Sequence, residues 1–259
     1  MNYVAPQTSK PGFSDEEWQA RVDLAAAHRL AVFHGFNEGI FNHLTARVPG
    51  HDDRYYQIPF GTHWSEVTAS CFMEVGYDGK LKAGEGEIEQ SCFCIHAPMH
   101  RLLPDAMAVF HTHMPFASAL TRLEDPRILP IGQTEVGMMT RVAYDNEYGG
   151  PAFDPAEGER LARAIGDKTV LFMANHGVAT VGKTIAQAYD LLYYVERVAQ
   201  VQLYAMWTGK PLKHLPQHVV DETVREFSAP RNYGGIPNST RHFEALKRML
   251  DRKEPDYRD

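Results

Sequence analysis

Hydrophobic positions along the chain alternate between short β-prone runs and longer stretches of helical spacing. Ser14-Asp15-Glu16-Glu17 has the form of a capping box, with Ser14 as N-cap and Glu17 three residues on. Behind it Val22, Leu24, Ala25, Leu30 and Phe33 predict an amphipathic helix ending near Gly35. Residues 41–48 predict a strand closed by Pro49-Gly50, and residues 55–60 a second; residues 65–70 predict one or two helical turns after Gly61. Residues 71–75 and 80–82 flank Tyr77-Asp78-Gly79, a hairpin signal because Asp-Gly supplies the positive φ that a tight turn needs. A helix over about 88–103 stops at Pro104-Asp105, and residues 107–113 predict a central strand. Pro115 suits the first position of a short helix to residue 121, because no N–H is required there.

Farther on, residues 131–144 contain a predicted strand, residues 145–153 form a loop rich in Gly and Tyr, and Asp154-Pro155 caps a helix to Ile165. Residues 168–173 form a β-prone run that continues, after Asn175-His176-Gly177, through residues 178–181. Thr184 caps a long helix through Trp207, ended by Gly209-Lys210-Pro211. The remainder is polar, charged and interrupted by proline, with one helix at about 240–252. The chain therefore divides into an arm over 1–13, one domain over 14–210, and an extension over 211–259 that packs on the domain or on a neighbouring subunit.

A length of 259 residues allows one large α/β domain or two small ones, with a substantial core. The balance of 26 basic and 33 acidic residues gives −7 without a dense basic cluster, which argues against nucleic acid or an anionic membrane as partner. Three cysteines (Cys71, Cys92 and Cys94) are too few and too odd in number for a disulfide framework, which points to a reducing, cytoplasmic setting. Met1–Pro11 lacks an apolar signal core, and no run is long enough to span a bilayer. The thirteen histidines are the unusual count, and they direct attention to metal chemistry.

In Val109-Phe110-His111-Thr112-His113-Met114-Pro115 an apolar run feeds two histidines at i and i+2. On a strand they share one face about 6–7 Å apart, which makes two corners of a metal site or a pair of half-buried strand histidines. His176 sits where the backbone turns after an apolar strand, with Gly177 free to take conformations that strain other residues. It could meet His111 and His113 at the strand ends and leave a coordination position open for water or substrate; alone, it also reads as an ordinary turn histidine.

These motifs occur in an ordered set. Phe41-Asn42-His43-Leu44-Thr45-Ala46-Arg47 is followed by Pro59-Phe60-Gly61 and by Trp64-Ser65-Glu66-Val67-Thr68-Ala69-Ser70. Then come His96, Pro104-Asp105 and the His111-Thr112-His113 strand, Ala174-Asn175-His176-Gly177, and a helix containing Tyr193-Tyr194. The set resembles the class II aldolase/adducin family from about Glu16 to Gly209. The resemblance implies an α/β, three-layer α/β/α fold with a central, mostly antiparallel sheet. It also implies a divalent cation on His111, His113 and His176, usually zinc, with manganese, iron or cobalt as other choices. A homo-oligomer, often a tetramer, with sites near subunit interfaces goes with it.

The family's sugar-phosphate aldolases place an acid/base glutamate where this chain has Cys92. Their phosphate-holding Ser-Ser pair is here Gln90-Ser91, and their phosphate-binding threonine is Phe60, beside Gly61. A phenyl ring supplies no hydroxyl, so a phosphorylated sugar is not the expected substrate. The block 65–70 and the Arg101 to Asp105 step are closer to the adducin head, which also lacks that glutamate. Cys92 reads either as a small core residue or as a thiolate completing a His₃Cys site. Glu135 is the candidate displaced acid/base and Tyr144 a candidate proton donor, while Asn42, Gly61 and Ser91 are expected to meet substrate.

Two functions follow. One is a divalent-metal-dependent lyase, of aldolase or decarboxylase type, acting through a metal-stabilised enolate on a small non-phosphorylated hydroxy-carbonyl or carboxylate compound. The other is a non-catalytic, adducin-head-like metal-binding or protein-interaction module.

Overall fold

The computed structural model describes residues 10–229, 232–233 and 235–259. Most of the expected arm, residues 1–9, lies outside them. Helix α1 (Asp15–His34) starts where the capping box fixes it. Ser14 Oγ accepts from the Glu17 N–H at 3.2 Å, and the Glu17 carboxylate accepts from the Ser14 N–H at 2.7 Å. Gly35, at φ 73°, ends the helix in the left-handed region. The expected amphipathic character is not what the fold uses, because Val22, Leu24–Ala27, Leu30 and Ala31 are all buried and so are Arg21, His28 and Arg29. A helix enclosed on most sides needs its polar groups paired. Arg21 donates to the Phe72 carbonyl and pairs with Glu74 at 3.3 Å; Arg29 donates to the Val67 carbonyl and pairs with Glu254 and Asp256.

The strands β1 (His43–Arg47), β2 (Arg54–Gln57), β3 (Met73–Gly76) and β4 (Leu81–Ala83) form an antiparallel meander. Helix α2 (Gln90–Leu102) leads to β5 (Ala108–Thr112), which pairs with β1. Short helices α3 (Pro115–Leu120) and α4 (Gln133–Met139) precede β6 (Val142–Asp145), and α5 (Pro155–Ile165) precedes β7 (Val170–Met173) and β8 (Val178–Gly182). The eight strands make one sheet in the order β4-β3-β2-β1-β5-β8-β7-β6, antiparallel except for β6–β7. Residues 178–182 are thus the antiparallel partner of β7, not its continuation. The strand expected within residues 131–144 is β6, which begins at Val142, and the run before it holds helix α4.

Long helix α6 (Ile185–Trp207) and α1 cover one face of the sheet, over Leu44, Phe110, Phe172 and Val178. Helices α2 and α5 cover the other, over Val109, Leu171, Met173 and Ala179. This is the expected three-layer α/β/α arrangement with a mostly antiparallel sheet. After α6 come α7 (Gln217–Ser228), which the polar composition concealed, the short pair β9 (Asn232–Tyr233) and β10 (Ile236–Pro237), and α8 (Asn238–Lys253). Helix α8 packs on α6 and α1 of the same chain, through Phe243 against Tyr189 and through Lys247 to Asp23 at 2.7 Å. The chain then lies along residues 69–70, whose N–H groups donate to the Tyr257 and Asp259 carbonyls. Among the described residues no helix is long and apolar enough to cross a membrane.

Two histidines are enclosed without a charge partner. His28 donates from Nδ1 to the Leu24 carbonyl, and burial pushes its pKa down to about 4. His100 donates to the Ala106 carbonyl, and burial pushes it down to about 3. Both are lowered from an ordinary 6.5, so the unfolded chain takes up their protons first as the pH falls. Their stabilising contribution is complete above pH 6.5 and is lost as the pH drops toward the folded values. Thermal or urea unfolding is expected to show stability falling by up to about 1.4 kcal/mol per pH unit for each of them below that point. His28→Gln should flatten the slope, at some cost in stability at neutral pH.

Candidate metal centre

The centre forms at one end of the sheet. Strand β5 lies between β1 and β8, with His43 opposite His111 on one side and Ala179 opposite it on the other. His111 points into the α2/α5 layer with Val109, two residues before it, and His113 follows at the strand's end. Between β7 and β8 the chain reverses tightly. Met173 N–H donates to the Gly177 carbonyl, His176 N–H to the Met173 carbonyl, and Asn175 takes φ 55°. The turn comes so close to β5 that a Cβ on Gly177 would lie 2.6 Å from the Thr112 carbonyl and 2.7 Å from His113 Cδ2. Only glycine fits there.

That approach brings three rings together. The centroids of His111, His113 and His176 stand 4.8–4.9 Å apart pairwise, and one nitrogen from each lies within 4.8 Å of the others. The outer nitrogens of two of them are committed. His111 Nδ1 donates to the Val178 carbonyl at 2.9 Å, and His113 Nδ1 to Glu38 Oε2 at 2.5 Å. With Nδ1 the donor in both, Nε2 is the nitrogen left for a cation, and the buried His113 Nε2 has no hydrogen-bond partner among the described residues. Burial, then the neighbouring His176 and His113, hold His111 well below its ordinary pKa. Burial, then His113 and Arg122, bring His176 to about 4. Three converging imidazoles, two of them with anchored outer nitrogens, fit a divalent cation that accepts nitrogen ligands.

The surroundings differ in part from expectation. Asn42, at φ 72°, uses Oδ1 to accept the His113 N–H at 2.9 Å, so it positions a candidate ligand. Arg122 donates to the His176 carbonyl, and the Tyr148 ring stands 6.2 Å from the His176 ring. Cys92 stands apart from the convergent nitrogens and packs with Tyr55, Met73, Val75 and Ala97. Burial, with Glu89 nearby, raises its thiol well above the ordinary value, so it is a neutral core residue rather than a thiolate. One turn before it, Glu89 caps α2: its carboxylate accepts from the Cys92 N–H and from Ser91 Oγ, and lies 3.2 Å from His43 Nε2. Burial opposes that charge, but the His43 contact and these hydrogen bonds bring its pKa to about 2. His96 and His100 both meet Thr45 Oγ1 within the α2 layer. Gly61, at φ 92°, turns the chain at the same sheet end.

The other two expected residues lie elsewhere. Tyr144 packs its ring on Phe172 in the α1/α6 layer, and its hydroxyl accepts from the Ile128 N–H. Glu135 is buried in the first turn of α4, which packs against α6 and α7. Neither meets the three histidines. Sequence reasoning missed Glu38 and Arg122, whose link to the histidines is purely tertiary; Glu38 is 75 residues from His113.

Residues 22–203 match the family described as Class II Aldolase and Adducin N-terminal domain. A crystal structure of an aldolase II superfamily protein from Pseudomonas syringae superposes with a TM-score of 0.87, at 36% identity, over 95% of this chain and 98% of that one. An adducin-related protein of Schizosaccharomyces pombe is 30% identical over 256 residues, covering 95% of this chain and 78% of that protein. The decarboxylase NovR of Streptomyces niveus is 26% identical over 226 residues, covering 85% and 83%.

Replacing Glu38 by Gln should leave the fold intact and weaken divalent-cation affinity by about 10–100-fold, read by competition with a chromophoric chelator. Gly177→Ala should lower bound metal further, because the added methyl forces the His176 turn away from β5.

Proposed function

The chain belongs to the class II aldolase and adducin N-terminal domain family, and from that premise we propose that it is a divalent-metal-dependent carbon–carbon lyase of aldolase or decarboxylase type. The observation that carries this reading is the convergence of His111, His113 and His176 with the Nδ1 atoms of the first two tied to Val178 and Glu38. These three histidines would hold the cation, and the all-imidazole donor set favours zinc over manganese, iron or cobalt. When bound, such a cation supplies Lewis acidity toward a carbonyl or carboxylate, the requirement shared by retro-aldol cleavage and decarboxylation.

The chain's own groups define the rest. Glu38 keeps the proton on His113 Nδ1, and Asn42 fixes the His113 backbone. Ser91, beside His43 and Glu89, and the Gly61 turn flank the same end of the sheet and are the groups placed to meet substrate. Phe60 occupies the place where a phosphate would need a hydroxyl, so the substrate is a small, non-phosphorylated hydroxy-carbonyl or carboxylate compound. Exposed Val201, Tyr204 and Trp207 along the end of α6 support a homo-oligomer, with a tetramer as the family expectation.

One observation favours a second reading. Cys92 is a buried thiol whose pKa burial raises, at the position that the family resemblance matches to the acid/base carboxylate of the sugar-phosphate aldolases. That suits an adducin-head-like module that keeps a cation for structure.

Metal analysis of the purified protein, followed by a screen of hydroxy-carbonyl and carboxylate compounds with and without chelator, separates the two. A lyase should carry stoichiometric metal and cleave at least one compound in a chelator-sensitive way, and His176→Ala should lose both metal and turnover. Stoichiometric metal with no chelator-sensitive turnover across the screen would instead select the module.

A further inference from the structure

Two half-exposed phenyl rings stand at the rim of the histidine site. Phe41 is 55% exposed and Phe60 40%, and their ring centroids lie 6.4 Å apart at 49°. Both are placed by backbone rather than by chance. Phe41 bridges to Glu38, whose carboxylate holds His113 Nδ1, and precedes Asn42, whose side chain holds the His113 N–H. Phe60 donates its N–H to the Glu87 carbonyl at 2.9 Å, just before the Gly61 turn. The β1–β2 pairing of Ala46 with Tyr56 and the β1–β5 pairing of His43 with His111 run toward this end, where the chain just before β1 and just after β2 brings the Phe41 and Phe60 rings together. The two rings and the histidines therefore share one end of the sheet.

Exposed aromatic surface gains free energy when a flat apolar group covers it, through both burial and ring–ring contact. A polyol would leave its hydroxyls unpaired against the same surface. We infer that the substrate carries an aryl group, seated on the Phe41–Phe60 pair, on the same small molecule whose oxygen-bearing end faces His111, His113 and His176. The inference rests on the lyase reading for that oxygen-bearing end, and on the rim alone for the aryl group.

Lactate and 3-phenyllactate share a 2-hydroxy-carboxylate head and differ by the phenyl ring, so titration calorimetry on the metal-loaded protein isolates the rim without requiring turnover. Phenyllactate should bind at least about tenfold more tightly than lactate. That advantage should vanish in both Phe60→Thr and Phe41→Ala, checked for unchanged melting temperature and metal content. It should survive in Trp207→Ala, which removes an 82% exposed ring at the end of α6. Equal affinity for the two acids, no binding of phenyllactate, or an advantage that persists in both rim variants would overturn the inference. If chelator leaves both affinities unchanged while the phenyl advantage still depends on Phe41 and Phe60, the metal-dependent reading fails and the aryl seat stands.

Discussion

The close approach of the β7–β8 turn to β5 is the contact on which the candidate site depends. Strands that pair normally sit about 4.8 Å apart, and side chains at a reversal usually keep a third segment farther away. Here the absent side chain of Gly177 lets the turn lie directly on Thr112 and His113. His176 is then delivered to a strand from which it is separated by three helices and two other strands in sequence. The hydrogen bond from His111 Nδ1 to the Val178 carbonyl ties the first residue of β8 to the same point. One backbone contact thus sets the spacing of all three rings, and the lowered pKa values of His111 and His176 follow from the burial it creates.

Around this contact the two faces of the sheet have separate tasks. The α1/α6 layer holds the larger apolar cluster and receives Tyr144 and Phe172. The α2/α5 layer is richer in polar groups near the site, with Thr45 meeting His96 and His100 and with Glu89 against His43. A thiol at position 92 suits that layer's packing, because a second buried negative charge beside Glu89 would be repelled across a low-dielectric interior. The electrostatic economy of the layer explains Cys92 without assigning it a ligand role.

Much of this was legible in the residues. The Ser14 capping box, the Asp78-Gly79 hairpin and the His-x-His strand each carry their geometry locally, whereas Asn175-His176-Gly177 showed a turn but not that it reverses the strand. Helix α4 was not legible, because its Val136, Met138 and Met139 suit a strand equally well and packing against α6 and α7 decides the matter. Helix α7 buries only Val220 among its residues, too narrow a stripe to stand out from a polar background. Glu38 gave no signal at all, since a loop carboxylate becomes a partner of His113 only when the fold joins residues 75 positions apart. Tyr144 and Glu135 were plausible by composition, and they failed on which layer their elements face.

Helix α1 emerges early in synthesis, yet its inward-facing Arg29 finds Glu254 and Asp256 only after another 225 and 227 residues have been made. Asp23 on the same helix waits similarly for Lys247, 224 residues away. Until those partners arrive, enclosing α1 would strand buried charges, so closure of its layer belongs to the end of folding rather than the beginning. Nascent chains would hold the central sheet with one flank ajar, a state in which apolar surface is on offer to chaperones or to neighbouring nascent chains.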